Sequence, residues 1–140
     1  MVKDLLVLVY REIGSLESLR RQKAMVLEDN AGLKAIRYDS EKVCGGGGHG
    51  DLTAVLETIE EKRKLIDELI ARMAERIMAH REELYKILSK VPESPGKAAV
   101  EEHYMYRVPW IEVARRLHYD KDYIRKLAEK CINELEEIRD

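Results

Sequence analysis

From residue 52 to residue 91, apolar side chains return at alternating steps of four and three: Leu52, Leu56, Ile59, Ile66, Ile70, Met73, Ile77, Leu84, Ile87 and Val91. Arg63 and His80 fill the two remaining places. A heptad pattern of this length admits few folds. It specifies one continuous helix whose apolar seam lies against another helix. About forty residues at 1.5 Å rise make a rod of roughly 60 Å. Asp51 is placed to cap its start and Pro92 to end it. Leu65, Leu69, Met78 and Leu88 widen the stripe, which predicts more than one partner helix. Arg63 reads as a seam residue that snorkels or pairs with a Glu, and His80 as one that fixes register.

The obvious partner precedes it. Val2, Leu6, Val9, Ile13 and Leu16 share one helical face, and the spacing predicts a helix over residues 2–28. Gly14 is a weak point, costing about 1 kcal/mol relative to Ala. Asp29-Asn30-Ala31-Gly32 reads as the exit, and residues 33–50 as irregular, with turn chemistry at Tyr38-Asp39-Ser40. A first helix this short leaves part of the long seam bare, which predicts self-association, as a dimer.

Between the two lies Cys44-Gly45-Gly46-Gly47-Gly48-His49-Gly50. Gly45, Gly47 and Gly50 satisfy the spacing of a dinucleotide fingerprint. No strand precedes them and no βαβ unit surrounds them, so that site is rejected. Cys44 and His49 are two ligands, which do not make a metal site. The stretch reads as a connector, and no cofactor is expected.

Pro92-Glu93-Ser94-Pro95-Gly96 marks the clearest boundary, dividing the chain into residues 1–50, 51–91 and 92–140. Ser94 and Pro95 suit the N-cap and first position of a helix over residues 97–106, burying Val100, Tyr104 and Met105. Arg107-Val108-Pro109 breaks it. Two short helices then follow, joined by His118-Tyr119-Asp120. Val113, Ala114 and Leu117 form the apolar face of the first, Ile124 and Leu127 that of the second. Asp120 is a good N-cap, and Ala114 is small enough for a close crossing. This is a helix-turn-helix pattern, in which the second helix enters the major groove of DNA. Its exposed positions carry Lys121, Arg125 and Lys126, with Tyr123 beside them; Arg115 and Arg116 close the first helix near the backbone. These six residues are the expected DNA contacts, Arg125 suiting guanine and the lysines phosphate. Trp110 reads chiefly as core, with its indole N–H a possible phosphate donor.

Residues 98–135 resemble region 4 of sigma-70-type factors, carried by Tyr104-Met105-Tyr106, Trp110-Ile111-Glu112-Val113-Ala114, Leu117-His118-Tyr119 and Tyr123-Ile124. The whole chain is similar to small ArpU-like regulators encoded by phages and prophages. Those combine helical N-terminal parts, a Tyr-Asp loop (here Tyr38-Asp39), a long helix and a region-4-like module. The resemblance implies promoter-proximal double-stranded DNA as ligand and RNA polymerase as a possible further partner. One position departs from the pattern: where such turns usually carry Gly, this chain has His118.

Composition bounds these readings. The net charge is −2, so the protein is not polybasic. Residues 93–140 carry nine Lys/Arg against eleven Asp/Glu, so only a local patch can serve DNA. Residues 115–126 supply that patch, with five basic and two acidic side chains. Cys44 and Cys131 are too few and too far apart for a disulfide framework, which favours a reducing cytoplasm. The apolar run 5–9 is too short for a membrane span. The four histidines are scattered and no enzyme constellation emerges. The expected fold is all-α, an N-terminal helical hairpin or coiled coil followed by a small C-terminal helix-turn-helix domain. The expected function is a sequence-specific transcription regulator of phage type, oligomerising through its N-terminal helices. Its rivals are a DNA-packaging protein like a small terminase subunit and a helical protein–protein adaptor.

Overall fold

A computed structural model describes the backbone of residues 1–43 and 49–139 and the side chains of residues 1–28 and 53–138. The described residues are helical throughout, without strands. Helix α1 spans Val2–Val43, α2 His49–Leu88, α3 Pro95–Val100, α4 Trp110–Leu117 and α5 Lys121–Arg139; a π-helical turn, Glu101–Met105, follows α3 directly. The chain divides into two compact units. One comprises Met1–Ser15 with Ala74–Asp140, the other Leu16–Met73, so α1 and α2 contribute to both.

The first correction concerns α1. It does not exit at residues 29–32 but runs on to Val43, through the stretch expected to be irregular. One interior Gly costs about 1 kcal/mol, and Leu33, Lys34, Ala35 and Arg37 beyond it are ordinary or good helix formers. Extending an existing helix is easier than stopping and nucleating another. At 42 residues α1 matches the 40 of α2, so the length mismatch behind the expected bare seam is absent. The glycine-rich stretch 44–48 lies outside the described residues. Helix α2 starts at His49, two residues before the expected cap, and ends at Leu88, with Ser89 and Lys90 in a turn.

In the unit of residues 16–73, Leu56, Ile59, Arg63, Ile66, Ile70 and Met73 are all partly covered, as seam positions should be. Lys23 of α1 bridges Asp67 of α2 at 2.7 Å, and Arg63 pairs with Glu60 one turn back at 3.0 Å. Of the residues expected to widen the stripe, Leu65, Leu69 and Met78 are exposed and Leu88 is buried; Val55 of α2 and Met25 and Leu27 of α1 are exposed as well.

The other unit holds most of the buried apolar side chains. Val2, Leu6 and Val9 of α1, Leu84 of α2, Val100, Met105, Val113, Ile124 and Leu135 are fully buried. His80 places Nδ1 2.6 Å from Oε1 of the buried Glu12. That is a single polar pair inside an apolar seam, of the kind that fixes register. Gly14 turns out to be more than a weak point. A Cβ there would stand 2.6 Å from the Arg107 guanidinium, which lies over the Tyr10 ring and donates to the Tyr10 carbonyl at 2.9 Å.

Helix α3 begins as its sequence demands. The Ser94 hydroxyl accepts from the Lys97 amide at 3.1 Å, with Pro95 in the first turn. Lys97 itself is buried, its ammonium donating to the Val91 carbonyl and to Glu93 at 2.8 Å. The expected single helix over 97–106 instead widens into the π turn. Such turns commonly mark places where a helix is bent to a local purpose. Here the turn buries His103 together with Met105 and leaves Tyr104 partly covered.

Candidate nucleic-acid interface

Helices α4 and α5 pack through Val113, Ala114, Ile124 and Ala128, all nearly or fully buried. The connection between them is determined by backbone bonds. His118 adopts the left-handed conformation, φ 61° and ψ 43°. Its amide donates back to α4, and the Tyr119 amide donates to the Ala114 carbonyl at 3.0 Å. This six-to-one closure ends a helix, and Gly is its usual residue. His118 occupies that position at a steric cost that its neighbours' hydrogen bonds offset. Asp120 then starts α5. Its carboxylate accepts from the Asp122 amide at 3.2 Å and its carbonyl accepts the first helical bond, from Ile124, at 2.9 Å. The N-cap expected from sequence is thus in place.

With Ile124, Ala128, Cys131, Ile132 and Leu135 turned into the core, the opposite face of α5 is left to solvent. Arg115, Arg116, Lys121, Tyr123, Arg125 and Lys126, the six residues singled out by sequence, are all exposed. They are not equally available. Arg115 and Arg116 both approach the same oxygen of Glu112, at 2.6 Å and 3.5 Å. The hydrogen bond from Arg115 is the main reason the Glu112 carboxyl is held below its usual range. Arg125 leans toward the Trp110 ring, 5.8 Å from its centroid. Among the described residues, Lys121 and Lys126 form no ion pair. Tyr119 and Tyr123 lie against each other, ring centroids 5.6 Å apart, both exposed. Asp120 and Asp122 add two exposed carboxylates to the same surface.

Behind this surface stands an aromatic cluster that sequence reasoning did not assemble. The His103 imidazole stacks on Trp110 at 3.9 Å and meets the edge of Tyr104 at 4.8 Å and the Tyr10 ring at 5.0 Å. Its Nδ1 donates to the Val108 carbonyl at 2.8 Å. A carbonyl can only accept, so that nitrogen carries the proton. Burial pushes the His103 pKa down, with the nearby Arg125 and Arg107 adding to the effect and the Val108 bond opposing it. The neutral ring is the form that packs. Trp110, at the head of α4, packs on His103 and is partly covered, outside the fully buried core. The signals in sequence were the closely spaced His103, Tyr104 and Trp110, but their convergence depends on the π turn.

Among the described residues, no three His, Cys, Asp or Glu side chains are grouped to hold a metal. None of the helices is long and apolar enough, over those residues, to cross a membrane. The chain matches no protein-family model, no curated protein and no solved structure.

Proposed function

We propose that this protein is a sequence-specific, double-stranded-DNA-binding transcription regulator of phage or prophage type. The DNA reading rests on one observation above the rest. The cations predicted from sequence are all exposed, on α5 and at the end of α4, and Lys121 and Lys126 have no intramolecular ion pair among the described residues. A chain of net charge −2 has no general attraction for DNA, so a concentrated patch is what such a function requires. Two capped helices joined by a short turn are the geometry by which a helix is offered to a major groove. The phage-type assignment, and contact with RNA polymerase, rest on the sigma-70 region-4 resemblance of residues 98–135. Self-association no longer has the length mismatch in its favour. Its support is the set of exposed apolar side chains at Met25, Val55, Leu65 and Leu69.

A helical adaptor that binds protein is the competing reading. It is favoured by a shallow groove of about 730 Å³ along α2, lined by Met78, Arg81, Tyr85 and Lys86 among others, with Met78 and Tyr85 exposed. Equilibrium binding of duplex DNA across a salt series separates the two. The DNA reading predicts a logarithmic affinity that falls linearly with log salt, with a slope of about −0.9 per phosphate neutralised. An adaptor would show no duplex binding at any salt.

A further inference from the structure

Arg115 and Arg116 are held before any DNA arrives. One carboxylate oxygen of Glu112 takes Nη2 of Arg115 at 2.6 Å and Nε of Arg116 at 3.5 Å. The spacing makes this possible, since positions i, i+3 and i+4 lie side by side on a helix. The three side chains are not sealed in the core. Their side-chain exposures are 31% for Glu112, 78% for Arg115 and 53% for Arg116. An ion pair so open to water is weak and exchangeable. A phosphate oxygen offers a guanidinium the same charge-assisted hydrogen bonds that a carboxylate does.

We propose that Glu112 is a built-in competitor of the DNA backbone, a carboxylate that occupies Arg115 and Arg116 until phosphates displace it. The proposal rests on the DNA-binding reading and assigns to it a residue that lowers affinity. The two guanidinium groups are pre-positioned side by side at the end of α4, and each must exchange Glu112 for a phosphate in order to bind. Displacing the carboxylate costs part of what the phosphate contacts gain. The bound complex also keeps an uncompensated carboxylate near the duplex, which opposes any weakly matched, purely electrostatic encounter. Contacts made by α5 to base edges do not involve Glu112. The residue therefore suppresses non-specific binding more than specific binding.

The test is E112Q, which keeps size and an acceptor oxygen but removes the charge. Binding of random-sequence duplex is measured across a salt series for the wild-type chain, for E112Q, for R115Q/R116Q and for E112Q/R115Q/R116Q. Circular dichroism confirms the helical content of each. E112Q should bind roughly three- to tenfold more tightly at low salt, the range expected from releasing two exposed ion pairs. The log–log salt slope should steepen by no more than about one, for the single anionic charge removed from the contact surface, since the phosphates contacted are the same. Adding E112Q to R115Q/R116Q should give no such gain. Unchanged or weaker binding by E112Q overturns the proposal, because Glu112 is then a positioning residue. An equal gain from the triple variant over R115Q/R116Q also overturns it, because the effect is then one of net charge. Duplex binding by the wild-type chain with no gain in E112Q leaves the DNA reading standing. Absence of binding in all four removes both.

Discussion

The double substitution R125E/K126E is expected to abolish duplex binding while leaving the fold intact. Both side chains are exposed, Lys126 on the side of α5 away from Ile124 and Ala128 and Arg125 on the flank beside Trp110, and neither enters the core. Reversal removes two cations and installs two anions on the surface a duplex would meet. A loss of roughly a hundredfold or more at moderate salt follows from losing two phosphate or base contacts and adding repulsion. The structural cost is small. Arg125 gives up a cation–π approach to Trp110 at 5.8 Å, worth about 0.5 kcal/mol at an exposed site. Helical content and the thermal midpoint should hardly move. Binding that survives the reversal would place the DNA contacts elsewhere or nowhere.

The second large effect is on stability, at Gly96. This residue is buried where α3 crosses α5. A Cβ added to it would stand 2.6 Å from the Leu127 carbonyl oxygen and 3.1 Å from the carbonyl carbon. Both are backbone atoms in the middle of a helix and cannot swing away as a side chain would. G96V therefore has to push α3 and α5 apart. The pair carries Ala99 and Val100 on one side and Ala128 and Cys131 on the other. Overpacking of this kind costs about 3 kcal/mol, or a fall in Tm of roughly 10 °C for a chain of this size. Calorimetry on G96V checks it. Gly14 offers a contrast, since the atoms a Cβ would meet there belong to the end of the Arg107 side chain, which can move.

Where periodicity and capping chemistry carried the information, the sequence was readable. From Leu56 to Ile87 the seam of α2 was placed residue by residue, Ser94 and Asp120 do cap α3 and α5, and all six proposed contact residues are exposed. The end of α1 was misread because Asp29, Asn30 and Gly32 are turn formers whose preferences are small beside the propagation of a long helix. Leu65, Leu69 and Met78 were read as part of a wider buried face and are exposed. A heptad seam says which residues face a partner, but not how many partners there are. The π turn at Glu101–Met105 leaves no mark in apolar spacing, and with it the burial of His103 and its stack on Trp110 went unseen. The Glu112 clamp was legible in principle, since a carboxylate followed by arginines at three and four residues is a helical ion-pair spacing. It passed for ordinary surface charge.

Selection of bound duplexes from a random pool by the intact wild-type chain tests the central claim most directly. A helix presented to the major groove predicts enrichment of a short motif. If two copies act together, the motif repeats at about one helical turn, near 10 base pairs. A pool that emerges with no enriched sequence, at salt low enough to allow any electrostatic binding, would contradict the assignment of α4 and α5 as a DNA-reading pair.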